Sequence, residues 1–268
     1  IEAPQIGLDV PLADLAPDHP IRLVFRLVME KLNLSSFPSA HVKLTSNIPI
    51  AAGMGSSSAS AVALTRVISE FLGRPFPDEA VNQVVFESEK LYHGSPSGID
   101  NTVTTYARPI YFIKNEPIEW LAVGQPMILV IGDSGEASST AEVVGDVRRR
   151  WSEAQAPYDA LFDQIGSVAV QARESIFRGE LIETGKLMSL NHAILQRLGV
   201  SSPRLDLLVS AALESGALGA KLSGAGRGGN MIALAEDQSQ ALAIVLGLMQ
   251  AGATSTLITT VPASGEVS

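Results

Sequence analysis

The segment Pro49-Ile50-Ala51-Ala52-Gly53-Met54-Gly55-Ser56-Ser57-Ser58-Ala59 constrains this chain most, because it joins two stretches of different hydrophobic period. Upstream, His41 to Ile48 alternates in part, Val42 and Leu44 against Lys43 and Thr45, and stops at Pro49, which predicts a half-buried strand. Downstream, Ala59, Val62, Ala63, Val67 and Phe71 recur at three and four residues, with Ala61, Leu64 and Ile68 making the other faces apolar. That pattern predicts a largely buried helix. Gly53 and Gly55 permit backbone conformations closed to other residues, and the first amides of the helix have no acceptor within it. Such a junction suits a polyphosphate. Ser56, Ser57 and Ser58 add hydroxyls that can donate to phosphate or ligate a hard cation. A turn with serine caps explains the composition equally well, and the absence of Gly-Lys-Ser/Thr excludes a Walker loop.

Composition removes several classes of function. With 46% hydrophobic residues in 268, the chain can bury a sizeable core. The absence of cysteine excludes disulfides, thiolate metal sites and a cysteine nucleophile. A net charge of −9, without a basic run interleaved with aromatics, argues against nucleic acid. The longest apolar stretches, such as Ala241 to Met249, are too short and too interrupted to span a bilayer, and no signal-like segment opens the chain. The expectation is a soluble cytoplasmic protein.

Periodicity predicts helices from Pro20 to about Leu32, from Pro77 and Asp78 through Leu91, and over Tyr158 to Arg178, Ile182 to Leu198, Pro203 to Leu213 and Gln238 to Met249. Strands are expected at Ile110 to Ile113, Met127 to Ile131, Leu218 to Leu222, Met231 to Ala235 and Ser255 to Val261. Ser139 and Glu142 have capping-box spacing at the head of a further helix. With no fixed repeat, this mixture reads as an α+β protein in two parts, residues 1–135 and 136–268.

In the helix after Pro77, Val81, Val84, Val85, Ser88, Leu91 and Tyr92 share a face with Lys90 opposite, leaving Glu87 and Glu89 at its borders. Periodicity does not choose between these two carboxylates. In His93-Gly94-Ser95-Pro96-Ser97-Gly98-Ile99-Asp100-Asn101, glycine and proline make a tight loop ending at Asp100. A carboxylate there can accept the proton of an attacking alcohol, or cap a helix or turn. Lys221-Leu222-Ser223-Gly224-Ala225-Gly226-Arg227-Gly228-Gly229-Asn230 lies between two predicted strands. Its glycine density suggests close approach of the backbone to another group, with a plain hairpin as the alternative. His19, His41 and His192 lack metal-binding spacing and read as surface or capping residues.

Together these motifs resemble the GHMP small-molecule kinases, most closely those acting on mevalonate. Pro49 to Ser58 is similar to the family's Pro-x-x-x-Gly-Leu-Gly-Ser-Ser-Ala, with Met54 for Leu and Ser58 for Ala, and Lys221 to Gly229 to its Lys-x-Ser/Thr-Gly-Ala-Gly-Gly-Gly-Gly, with Arg227 for a glycine. The segment from Glu89 to Asn101 resembles the mevalonate kinase signature. The resemblance implies a two-domain α+β fold, with a ribosomal-protein-like N-terminal part that binds ATP and a ferredoxin-like C-terminal part. It implies phosphorylation of mevalonate to 5-phosphomevalonate in isoprenoid biosynthesis, with ATP and Mg2+. It also implies a homodimer. By residue, it implies ATP at Pro49, Ala52, Gly53, Met54, Gly55, Ser56, Ser57 and Ser58, magnesium on Ser57 and Glu89, and Asp100 as base. The substrate would meet His93, Ser97, Asp100, Thr140, Gly224, Ala225 and Gly226. The rivals are another GHMP kinase, such as a mevalonate 3-kinase or phosphomevalonate kinase, and a noncatalytic GHMP-like binding protein. The family's opening Pro-Gly-Lys/Arg-x-x-Leu-x-Gly-Glu-His segment has no counterpart here, and the expectation is a fragment lacking its N-terminal strands.

Overall fold

The structure is a computed structural model that describes residues 1–46, 48, 54–93, 96–114 and 116–265, with the backbone alone at residues 92 and 93. It divides into two compact units, Ile1–Trp120 and Leu121–Ser268. The first contains β1 (Glu2–Ala3), β2 (Leu8–Asp9), α1 (Pro20–Leu32), α2 (Ser56–Phe71), α3 (Asp78–His93), α4 (Ile99–Tyr106), β3 (Ile110–Tyr111) and β4 (Glu119–Trp120). The second contains β5 (Met127–Asp133), α5 (Thr140–Glu153), α6 (Gln155–Arg178), α7 (Leu181–Leu198), α8 (Pro203–Glu214), β6 (Gly219–Leu222), β7 (Asn230–Ala235), α9 (Gln238–Gln250) and β8 (Ser255–Val261).

In the first unit α1 starts where Pro20 presets the backbone and His19 Nδ1 accepts from the Ile21 amide. It ends at Asn33, whose left-handed conformation (φ 54°) stops the helix. Val24, Phe25 and Val28 of α1 then bury against Leu64 and Ile68 of α2 and Val84 of α3. Arg66 ties the bundle together, donating to Asp78 Oδ1 at 2.9 Å and to the Thr105 carbonyl near the end of α4 at 2.7 Å.

Several expectations fail here. Among the described residues, the strand predicted over His41–Ile48 reduces to one bridge between Lys43 and Glu2, because its partner β1 is two residues long. The apolar stripe Ala63, Val67 and Phe71 of α2 faces solvent, whereas the Val62, Leu64, Thr65 and Ile68 side is buried. Leu91 is likewise exposed, since the packed face of α3 turns away from it. The expected loop from Gly94 to Asp100 gives way at Ile99 to α4, and Ile110–Ile113 shortens to β3.

The second unit is built on an antiparallel sheet of order β6-β7-β5-β8. Both of its faces are covered: Val130 and Ala233 pack with Leu205, Leu208 and Ile244, while Leu129 and Leu234 pack with Ile176, Leu181 and Met188. Double-sided burial is why Met127–Ile131 reads as a continuous apolar run rather than an alternating one. α7 seals the outer edge of β6, where Ser189 Oγ and His192 Nδ1 each accept a strand amide, from Ala220 and Leu222, at 3.3 Å. Gly185 and Gly219 allow this approach, since a Cβ on Gly219 would lie 1.8 Å from the Gly185 carbonyl oxygen. The boundary expected near residue 135 moves to Trp120/Leu121, because β5 pairs with both β7 and β8 and so belongs to the second unit. Among the described residues, no helix is long and apolar enough to cross a membrane.

Candidate functional site

In the first unit the candidate site gathers around the start of α2. Gly55 adopts a left-handed conformation (φ 67°) at the N-cap and offers no side chain to the first-turn amides. Those amides and the positive end of the helix dipole are suited to an anion. Of the three serines, Ser57 is exposed, whereas Ser58 is 1% exposed and its hydroxyl donates to Glu89 Oε1. Glu89 itself is 8% exposed, while Glu87 faces solvent and pairs with Lys90 at 2.9 Å. Burial therefore makes the choice that periodicity left open: Glu89 is the carboxylate turned toward the serine turn.

α4 supplies the second part of this site. Gly98 is the N-cap, and its left-handed conformation (φ 92°) is what calls for glycine, since an added Cβ would make only ordinary contact with the rings of Phe86 and Phe112. The Ser97 hydroxyl, one residue ahead of the N-cap Gly98, accepts from the Ile99 amide at 3.3 Å. Asp100 is an exposed residue of the first turn. One turn further on the same face lies Thr104, whose Oγ1 would be 3.8 Å from a Cβ on Gly55. Asp100 thus projects from the face of α4 that meets the head of α2. Behind it, Asn101 is buried and donates to Asn82 Oδ1 at 2.6 Å. Pro49, Ala52 and Gly53 lie outside the described residues, as does the side chain of His93, while Met54 lies at the loop's exit, half-buried.

The second unit carries the glycine loop between β6 and β7. Its glycine density has two separate causes. A Cβ on Gly226 would fall 1.9 Å from the Val200 carbonyl oxygen, and one on Gly228 would fall 2.5 Å from that of Glu136, so both glycines exist for the chain's own close packing. The close approach that the glycine density suggests is, at these two positions, to the chain's own backbone. Gly224 differs: it is exposed, with φ 81° and nothing within 4 Å of an added Cβ. Ala225 meanwhile packs partly against the core. The open arc for a ligand is therefore Ser223 to Ala225; Gly226 and Gly228 are buried framework, and Gly229, half-buried with nothing within 4 Å of an added Cβ, is held by its amide to the Glu136 carbonyl at 2.8 Å. Thr140, the first residue of α5, is exposed beside the N-cap Ser139, whose hydroxyl accepts from the Glu142 amide at 3.4 Å.

The roles of four residues here, Arg227, Asp146, His192 and Lys221, escaped sequence reasoning. The Arg227 guanidinium is committed to Asp146 and, through Nε at 3.1 Å, to the Gly199 carbonyl. Asp146 also takes Arg149 and, at 3.2 Å, Arg150, and the hydrogen bonds from Arg227 and then Arg149 hold its carboxyl below the usual range. His192 is buried rather than a surface or capping histidine. Burial first, and then the nearby Lys221 charge, push its pKa down, against the opposing pull of Asp206. Its Nε2 lies 3.2 Å from Asp206 Oδ1, close enough for attraction but poorly aligned for a hydrogen bond. Lys221 donates to the Leu222 carbonyl at 2.8 Å, and burial lowers its pKa to about 8. The sequence signal for Arg227 was its place in a glycine motif; for His192 there was none.

The oxygen donors of the first unit fit a magnesium ion. A buried carboxylate on Glu89 and an exposed hydroxyl on Ser57 are hard ligands, and magnesium is commonly held by one or two carboxylates plus substrate phosphates. Among the described residues, no three His, Cys, Asp or Glu side chains gather into a metal cage.

Comparison with known proteins agrees with both units. The GHMP kinases N terminal domain family matches residues 19–108, and the GHMP kinases C terminal family matches residues 172–253. A mevalonate kinase from Pyrococcus abyssi is 36% identical over 231 residues, covering 84% of this chain and 68% of that protein. One from Pyrococcus horikoshii is 37% identical over 212 residues, covering 76% and 62% respectively. The crystal structure of L. major mevalonate kinase in complex with R-mevalonate superposes with a TM-score of 0.81 at 34% identity, over 92% of this chain and 78% of that one.

Proposed function

The chain belongs to the GHMP kinase family, and from that premise we propose that it transfers the γ-phosphoryl group of ATP to the primary hydroxyl of mevalonate, giving 5-phosphomevalonate and ADP. The observation that carries this reading is the likeness, at 34% identity, to a mevalonate kinase solved with R-mevalonate. On this reading the amides at the head of α2 take the ATP phosphates, together with the hydroxyls of Ser56 and Ser57. Glu89 and Ser57 would hold Mg2+, which when bound neutralises charge on the polyphosphate. The buried hydrogen bond from Ser58 fixes the Glu89 carboxylate, so that no reorganisation is needed when the cation arrives. Asp100 accepts the proton of the mevalonate hydroxyl as its oxygen attacks phosphorus and the bond to the ADP oxygen breaks. The exposed arc at Gly224 and Ala225 supplies backbone amides to substrate.

The test is a coupled ADP-release assay with mevalonate, phosphomevalonate and no acceptor side by side. Release that depends on mevalonate, with phosphorus NMR placing the new phosphate on the primary hydroxyl, is the expected result. Asp100→Asn should lower kcat by at least about a thousandfold while MgATP still binds, since the variant loses the base but not the phosphate cradle. A folded protein that binds MgATP and releases no ADP with any acceptor would replace this reading with a noncatalytic one.

A further inference from the structure

The segment Gly226–Gly229 is fastened from several directions. The Arg227 amide donates to the Val200 carbonyl at 2.8 Å, Ser138 Oγ donates to the Gly226 carbonyl at 2.5 Å, and the Gly229 amide donates to the Glu136 carbonyl at 2.8 Å. One of these fastenings is unusual in its cost. Arg227 sits at φ 57°, a left-handed conformation disfavoured for any residue with a side chain and natural for glycine. The local backbone would therefore prefer glycine, and what the arginine adds is its side chain. That side chain spans from the Gly199 carbonyl to Asp146 on α5, a partner 81 residues away in sequence. The carboxylate is gripped in turn by Arg149 and Arg150 from its own helix, so the tie ends on a charge with a fixed direction.

We propose that the Arg227–Asp146 pair is a latch that positions the open arc Ser223–Ala225 for phosphoryl transfer. Arg227 is a positioning residue: its guanidinium is spent on this chain's own groups, and it acts through the backbone it holds. The open arc is held at one end by the Ser223 amide, which donates to the Asn230 carbonyl at 2.9 Å, and Ala225 packs partly against the core, so the latch acts at its other end, through Gly226. Oxyanion-type donors act only when aimed before the charge develops, so a loosened arc loses rate before it loses affinity. The kinetic part of this inference rests on the function proposed above.

The decisive variant is Arg227→Gly, which relieves the left-handed strain and removes only the tether. Amide hydrogen exchange over residues 223–229 should accelerate by about tenfold or more, with the melting temperature little changed. With mevalonate and MgATP, kcat should fall by about 10- to 100-fold, while KM for MgATP stays within about threefold. Asp146→Asn should do the same, the double variant should be no worse than either single one, and Arg227→Lys should recover part of kcat through its remaining charge. A kcat within about twofold of the parent in Arg227→Gly, or a lowered melting temperature with unchanged kcat and exchange, would overturn the latch. If the parent protein itself does not phosphorylate mevalonate, the functional reading fails, and the exchange measurement alone decides the latch.

Discussion

His192 and Glu89 are both polar side chains that the fold removes from water, and each meets polar groups there, the Leu222 amide and Asp206 at His192 and the Ser58 hydroxyl at Glu89. Neutral His192 accepts the Leu222 amide at Nδ1, which places its proton on Nε2 facing Asp206. Protonating Nδ1 would break that hydrogen bond and add a charge beside Lys221. Its folded pKa lies below the usual histidine value, so the unfolded chain binds a proton first on acidification. The stability it contributes is complete above about pH 6.5 and declines as pH falls through the folded pKa. Thermal melts between pH 7.5 and 5 should accordingly show a loss that His192→Gln reduces, because glutamine can still accept the amide without titrating; equal slopes for both proteins would remove His192 as the cause. Depressed carboxylates such as Asp146 and Asp237 lose their partners' help only at lower pH, which keeps the two effects apart. At this scale the sequence offered residue types and spacing. Periodicity nominated Glu87 and Glu89 together and the family resemblance pointed to Glu89; burial and the Ser58 hydrogen bond supplied the physical difference between them.

Among the elements, α7 and β6 show how a sheet edge is closed without another strand. Side chains of the helix accept the edge amides, and the glycine pair Gly185 and Gly219 lets the two backbones nearly touch. Gly219→Ala should therefore destabilise the protein by about 1–3 kcal/mol, because the added methyl meets backbone rather than a movable side chain. A drop of several degrees in the melting temperature would be its signature; a melt unchanged within error would show that α7 shifts freely. The helices were largely readable beforehand, since their caps and periods are local: Pro20 and His19 start α1, Ser202 accepts the Leu205 amide at the head of α8, and Asp237 accepts that of Gln240 at the head of α9. α4 was missed because eight residues give too few turns for a period, and the strand at His41–Ile48 was overread because alternation requires a partner strand that β1 is too short to be.

For the molecule as a whole, the second unit holds its own four-stranded sheet and its own buried clusters, with β5 contributing to both faces. Residues 121–268 expressed alone should then fold, with mixed helix and strand circular dichroism and a cooperative thermal transition. A chain that melts without cooperativity would show that this core depends on the first unit. Sequence alone was enough to identify an α+β kinase of the GHMP family and to order its motifs, because phosphate-binding turns, helix caps and apolar periods are written within a few residues of one another. The tertiary structure decided which face of α2 is covered, that β5 belongs to the second unit, that Glu89 rather than Glu87 meets the serine turn, and that Arg227 is held by Asp146. Each of those depends on burial or on a partner distant along the chain, and neither quantity exists until the segments have packed.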